Sequence, residues 1–374
     1  MIRLSKSCIG KEEQQAVVRV LEKEFLGMGD EVQKFEHELS GFFGRPVACV
    51  ANGTAALHLA LQASGIGVGD EVLVPSLTYV ASFQAISATG AHPIACDIDE
   101  KTLTLDWASM SSRLTDKTKA IMPVHYSGGV GDLSALYDFA KEHKLRVIED
   151  AAHAFGTEYH GERVGSFGDI ACFSFDGIKN ITSGEGGCIV SDDEQIIAAI
   201  KDSRLLGVER DTEKRFSGQR SWEFSVSRQG WRYHMSNIMA AIGMEQLKKF
   251  PQMASNRQGL AKKYDALLIG NEYVKVIPHN YDEVVPHIYV IRIESMDFRD
   301  SLRDELLKLG IQTGVHWQPN HQLDFYASYQ IALPTTEKVY PHLLTLPLHH
   351  DLSIEDIEYV CKNLLELIGR NNAK

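Results

Sequence analysis

The chain has 374 residues, 44% hydrophobic and 24% charged, which is ordinary for a soluble globular protein and long enough for two domains. Its formal net charge of −12 argues against general nucleic-acid binding, which needs a basic surface, so an anionic substrate has to be met by local cations. No apolar run reaches membrane-spanning length and the first residues form no apolar signal segment, so neither a membrane partner nor secretion is expected, and the location expected is cytoplasmic.

In chain order, residues 1–14 are polar and precede a first helix, EEQQAVVRVLEKE. A glycine-bounded turn leads to a second helix with Val32, Phe35, Leu39 and Phe42 on one face. The strand PVACV runs directly into ANGTAALHLALQAS, which places Asn52, Gly53 and Thr54 at a strand-to-helix junction. Free backbone N–H groups and the helix dipole favour an anion there. Strand EVLVP, a helix around SFQAISATG, strands HPIACDI and KAIMPVHY, helix DLSALYDFAKEHK and strand RVIED follow. This rhythm predicts an α/β fold with a largely parallel, doubly wound sheet and a site at the strand C-termini. Tyr79 lies just past one strand end and Asp150 closes another.

The stretch Phe173 to Gly187, FSFDGIKNITSGEGG, leaves an apolar strand, presents Lys179, passes Gly184, Gly186 and Gly187, and enters a second strand, CIVS. Burial lowers a lysine's pKa, which is what a Schiff-base nucleophile needs, whereas the glycines serve positive φ and close packing. Helix DEQIIAAIKDSRLLG then leads into a polar excursion from Val208 to Gly230. It carries Arg210, Lys214, Arg215, Arg220 and Arg228 among several acids, and it is too long for a simple connection. Helix MSNIMAAIGMEQLKKF is expected to end near Pro251. Beyond it, helix MASNRQGLAKKYDALLIG, strand HIYVIRIES, helix DFRDSLRDELLKLG, strand IQTGVHW and helix SIEDIEYVCKNLLELIG describe a smaller α+β domain. The division expected is therefore 1–14 as a segment packing on the small domain, 15–250 as the large domain and 251–374 as the small one.

Cys8, Cys49, Cys96, Cys172, Cys188 and Cys361 form no C-x-x-C pair and read as reduced core residues, and no metal site is assigned. An anion cradle at Gly53 and Thr54, an aromatic at Tyr79, a carboxylate at Asp150 and the amine of Lys179 are the parts that pyridoxal 5′-phosphate requires. His125 and His316, which follow or end apolar strands, read as structural, whereas His153 and His321 are kept for direct roles.

The segments ANGTAALHLAL, EVLVPSLTYVAS, VIEDAAHAFG, FSFDGIKNITSGEGG, GWRYHMSNIMAAIG, TGVHWQPNH and LPLHHDLS resemble the DegT/DnrJ family of nucleotide-sugar aminotransferases across essentially the whole chain. The resemblance implies a fold type I pyridoxal-phosphate enzyme whose large domain holds a mostly parallel seven-stranded sheet, followed by a smaller α+β C-terminal domain. It implies Lys179 as the lysine joined to the cofactor and the general base, with Asp150 as partner of the pyridine nitrogen. His153 would lie near the cofactor's 3′-oxygen, Gly53, Thr54 and Ser174 at its phosphate, and Tyr79 on its ring. Asn237 would reach the cofactor phosphate of a neighbouring subunit, giving a homodimer with shared active sites, and His321, Arg232 and Trp317 would meet the sugar. The family commonly reads G-Y-N-Y-R-M where this chain has Arg232 and His234 in GWRYHM. The activity implied is transfer of an amino group from glutamate to a nucleotide-linked 4-keto-6-deoxyhexose in surface polysaccharide or O-antigen biosynthesis. The alternatives are a C3-acting relative, an aminobenzoate synthase-like member, and a non-catalytic binder of the cofactor.

Overall fold

In this computed structural model the chain is described over residues 1–219, 222–294, 299–327 and 331–372. Helices α1 (Lys11–Glu22) and α2 (Asp30–Phe43) precede strand β1 (Val47–Val50) and helix α3 (Gly53–Ala63). Strand β2 (Glu71–Pro75), α4 (Val80–Ala88), β3 (His92–Cys96), α5 (Trp107–Ser112), β4 (Thr118–Ile121), α6 (Leu133–His143) and β5 (Arg146–Asp150) follow. A small hairpin, β6 (Glu158–Tyr159) and β7 (Glu162–Arg163), leads to β8 (Ile170–Ser174), β9 (Gly187–Val190), α7 (Glu194–Ser203), α8 (Asp211–Phe216) and α9 (Asn237–Leu268). The remainder is β10 (Val274–Val276), β11 (Tyr289–Ile293), α10 (Arg299–Lys308), α11 (Pro334–Val339), β12 (Leu343–Leu346) and α12 (Ile354–Asn372).

The main sheet has seven strands in the order β1-β9-β8-β5-β4-β2-β3, and β9 runs antiparallel to both of its neighbours. Burial on both faces explains the near-continuous apolar strands. Val50, Val72, Val74, Ile148, Ile170, Cys172 and Ile189 face α3, α4 and α7. The alternate residues Val47, Cys49, Ala171, Phe173, Cys188 and Val190 face α2 and α9, while Leu73, Ile121 and Val147 face α5 and α6. This two-residue period puts Asp150 and Ser174 on the same face as Ile148 and Cys172.

A second, antiparallel sheet, β10-β11-β12, packs on the last turns of α9, on α10 and on α12, through residues such as Tyr264, Ile291, Leu302, Leu344 and Leu364. The N-terminal segment lies against this part of the chain: Ile2 exchanges backbone bonds with Gly310 and Gln312, Leu348 N–H donates to the Leu4 carbonyl, and Lys6 pairs with Asp351.

Three local expectations are corrected. The helix expected to stop near Pro251 continues to Leu268 as one 32-residue helix with the proline inside it. Pro251 removes one donor, but buried Phe250, Met253, Ala254, Arg257 and Leu260 carry the packed face straight through, and tertiary packing overrides the local break. IQTGVHW forms only isolated bridges, at Ile311 to Ile2 and at Gly314 to Thr345, and the third strand of the small sheet is Leu343–Leu346. On α2 the fully buried aromatic next to Leu39 is Phe43, with Phe42 only partly covered.

Candidate active site

A cavity of about 460 Å³ opens at the C-terminal ends of β5 and β8, against the start of α3. Parallel sheets place ligands there because strand ends and helix N-termini converge. In register, Asp150 pairs with Cys172, so the Asp150 carboxylate and the Ser174 hydroxyl stand on one face of adjacent strands, one pleat apart. Asp150 is 7% exposed, its Oδ2 accepts from the Ser82 hydroxyl at 2.7 Å, and its Oδ1 accepts from the Ala152 N–H at 3.3 Å. Thr78 holds Ser82 in turn, the two hydroxyls lying 2.9 Å apart.

The start of α3 is built for an anion. The Asn52 Oδ1 accepts from the Ala55 N–H at 2.8 Å, capping the helix, while the N–H groups of Gly53 and Thr54 precede any intrahelical acceptor. A Cβ on Gly53 would sit 2.8 Å from the Cβ of Ser174, so only glycine lets the helix start approach β8 this closely.

Lys179 sits in the connection between β8 and β9. The base of that connection is clamped by Phe175 N–H to the Gly186 carbonyl and Ser183 N–H to the Phe175 carbonyl, each 2.8 Å, and Gly184 takes a φ of 80°. The side chain is half-buried by its neighbours and its amine opens on the cavity. Burial pulls its pKa from 10.5 to about 8, with Asp150 and Asp176 opposing the change. The neutral, nucleophilic amine is therefore far more accessible near neutral pH than for an ordinary lysine, at about a tenth of the population at pH 7.

Across from Lys179 stands a cluster of rings. His153 packs on His287 with centroids 4.3 Å apart and on Trp317 at 5.1 Å, and Trp317 meets the exposed Tyr79 at 5.6 Å. The Nε2 of His287 lies 3.5 Å from the Lys179 amine. Burial drives the pKa of His153 and His287 well below the usual imidazole range and that of His316 down to about 4, so all three are neutral at pH 7. His316 is fixed by its Nδ1, 2.8 Å from the Thr345 hydroxyl, and its carbonyl accepts from Tyr126.

Of the residues singled out from the sequence, Gly53, Thr54, Tyr79, Asp150, His153, Ser174, Lys179 and Trp317 line this cavity. Three stand elsewhere in the chain. The Asn237 amide is spent on the turn before α2, donating to the Phe25 carbonyl at 2.9 Å and accepting from Val32 N–H at 3.3 Å. His321 has both ring nitrogens engaged, with Ser76 at 2.7 Å and Glu337 at 3.2 Å. Arg232 is exposed, in a segment bridged to Leu205. His316, read from the sequence as structural, lines the cavity, whereas His125 pairs with Glu149 at 2.6 Å with neither side chain exposed. His287 and Ser82 gave no local signal: one reaches Lys179 from 108 residues away, the other reaches Asp150 from 68. Among the described residues no three His, Cys, Asp or Glu are grouped as metal ligands, and no helix is long and apolar enough to cross a membrane.

An amine, a buried carboxylate and a helix N-terminus around one cavity suit a planar, phosphorylated carbonyl compound. The buried Nδ1 atoms of His153 and His287, which have no partner among the described residues, add hydrogen-bonding capacity beside it. The model of the DegT/DnrJ/EryC1/StrS aminotransferase family matches residues 7–365. The spore coat polysaccharide biosynthesis protein SpsC of Bacillus subtilis is 36% identical over 96% of this chain and 95% of its own length. Uncharacterized protein MJ1066 of Methanocaldococcus jannaschii is 35% identical over 98% of this chain and 97% of its own. Among solved structures, the putative sugar aminotransferase Spr1654 of Streptococcus pneumoniae in its PMP form superposes with a TM-score of 0.93 at 30% identity, over 99% of this chain and 100% of that one. The aminotransferase PseC of Helicobacter pylori, involved in pseudoaminic acid biosynthesis, gives 0.92 at 27% identity over 99% of both chains. The chain belongs to the DegT/DnrJ/EryC1/StrS aminotransferase family, whose enzymes depend on pyridoxal phosphate.

Proposed function

We propose that this enzyme transfers the amino group of glutamate to a nucleotide-linked 4-keto-6-deoxyhexose, yielding the 4-amino-4,6-dideoxy sugar for surface polysaccharide biosynthesis. The observation that carries the reading is the convergence of Lys179, Asp150 and the start of α3 on one cavity. Relatives named for sugar amination and for spore coat polysaccharide support the substrate class.

The residues present fit pyridoxal phosphate. Gly53 and Thr54 N–H groups with the Ser174 hydroxyl would hold its phosphate, Asp150 its ring nitrogen, Tyr79 its ring face, and His153 its ring oxygen. When bound, the cofactor supplies an electron sink for charge left at the donor's α-carbon. Asp150, fixed by Ser82, would set a carboxylate against the ring nitrogen. Lys179, with its lowered pKa, would take the proton from the donor's α-carbon at Nζ and release it within the same half-reaction, and would move a proton the opposite way for the acceptor. The ring cluster of His153, His287 and Trp317 excludes water from that amine.

Trp222, Phe224 and Val226 are 87%, 61% and 53% exposed in the Val208–Gly230 excursion. Exposed apolar side chains at this density mark a binding surface. We assign them to a homodimer interface that brings the exposed Arg232, together with cations of the excursion, to the nucleotide diphosphate in a neighbouring site. Arg215 is paired with Asp211 at 2.6 Å, and Arg220 lies outside the described residues. The test is turnover of purified enzyme with pyridoxal phosphate, glutamate and each of the dTDP-, UDP- and GDP-linked 4-ketosugars, followed by mass spectrometry. One of them should give an aminosugar and 2-oxoglutarate. Amination of none of the three would move the acceptor to another class.

A further inference from the structure

Arg257 is a costly structural feature near the cavity. It is buried in α9, and among the described residues its Nη1 is met by backbone carbonyls, those of Pro286 at 3.5 Å, His287 at 3.1 Å and Leu348 at 3.3 Å, and by no carboxylate. A buried guanidinium without a carboxylate partner is expensive, so the backbone it holds is held for a reason. From the other side, His287 N–H donates to the Ser127 carbonyl at 3.3 Å. The residue fixed from two sides is the one whose imidazole Nε2 stands 3.5 Å from Lys179 Nζ. Its ring is locked against His153 with centroids 4.3 Å apart, and its Nδ1 has no partner among the described residues. Burial keeps it uncharged, so with its proton on Nδ1 the Nε2 can accept a hydrogen bond from the amine without repelling the ammonium form as a cation would.

We propose that His287, carried on the lead into β11 and braced by Arg257, is a positioning residue for Lys179: its Nε2 holds the lysine amine aimed into the cavity whenever that amine is free. The proposal rests on the reading of Lys179 as the amine that moves the proton. A lysine has several rotatable bonds, and an amine left loose in a cavity samples many wrong orientations between proton transfers. One neutral acceptor 3.5 Å away selects the productive one.

The test compares His287→Phe, which keeps a ring against His153 and removes the acceptor, with His287→Gln, which restores one. Two quantities are read. The first is the rate at which apoenzyme captures added pyridoxal phosphate. The second is the primary isotope effect with α-deuterated glutamate in the half-reaction. Capture should slow about tenfold in His287→Phe, the isotope effect should rise as proton transfer becomes more limiting, and His287→Gln should recover most of both. A folded His287→Phe with capture rate and isotope effect within twofold of wild type overturns the proposal. If the phenylalanine variant does not fold, His287→Leu takes its place against the same thresholds. Failure of wild type itself to process glutamate counts against the donor assignment alone, because capture by apoenzyme still judges His287.

Discussion

The two walls of the cavity are built differently. One wall is the edge of the main sheet: Asp150 and Ser174 are the last residues of β5 and β8, and Gly53 opens the helix that β1 feeds. The other wall is made of loop residues, His287 and His316 with Trp317, delivered from the part of the chain that carries the small sheet. The first wall carries fixed charge and fixed dipoles, set by strand register and helix capping. The second carries neutral rings whose main physical effect is to exclude water. Lys179 lies between them, on a connection belonging to the first wall but touched by the second. Substitutions on the sheet wall should therefore damage the chemical step or the hold on the cofactor, and those on the loop wall should damage orientation and access.

The largest effect expected is at the hinge between the walls. Lys179→Met should lower turnover by about three orders of magnitude or more, the scale for losing a nucleophile that also moves the proton. The same change should stabilise the apoenzyme. The drop from 10.5 to about 8 means that the folded chain resists protonating an amine that the unfolded chain protonates freely, a penalty of at most about 3 kcal/mol. Because the folded-state pKa is the lower one, the penalty is full below pH 8, shrinks as pH rises toward 10.5, and is gone above that. The apoenzyme melting temperature of Lys179→Met should thus exceed that of wild type by a few degrees at pH 7 and converge with it at pH 10 to 11. A melting temperature below wild type at pH 7 would show that the lysine is not stored at a cost.

Next in size is Asp150→Asn, which keeps the shape of the sheet wall and removes its charge. Turnover should fall by about 10² to 10³, the usual scale for one electrostatic contact to developing charge, with thermal stability little altered. Gly53→Ala comes third. Its Cβ would meet Ser174 at 2.8 Å, so the helix start must back away from β8, costing about 1–3 kcal/mol of packing and weakening cofactor binding by about tenfold or more. Equilibrium titration with pyridoxal phosphate reads it. Smallest is Ser82→Ala, which removes one of two donors to Asp150 and should slow turnover only several-fold, with the cofactor's absorption spectrum shifted.

The contrast between the walls also explains what could be read from residues alone. Asp150, Gly53 and Tyr79 stand beside strands whose apolar runs announce them, and the spacing of Lys179 and its glycines marks a strand-to-strand turn. These positions depend on local structure, and local structure is written locally. His287 and Ser82 depend on which strand end meets which loop, and no period within a segment encodes that. Pro251 misled for the related reason that its local rule was overridden by a buried face running the length of α9. IQTGVHW reads as a strand by composition, yet Leu4 passes so close to Gly314 that a Cβ there would meet it at 2.7 Å. The edge it needed is partly taken by the N-terminal segment, and only the Gly314–Thr345 bridge to β12 survives.

The most direct test of the central assignment is chemical. Loaded enzyme is reduced with borohydride, digested, and the peptides carrying the pyridoxyl group are mapped by mass spectrometry. One labelled residue, Lys179, is expected in wild type and no label in Lys179→Met. Label on another lysine, or label persisting in the variant, would contradict it.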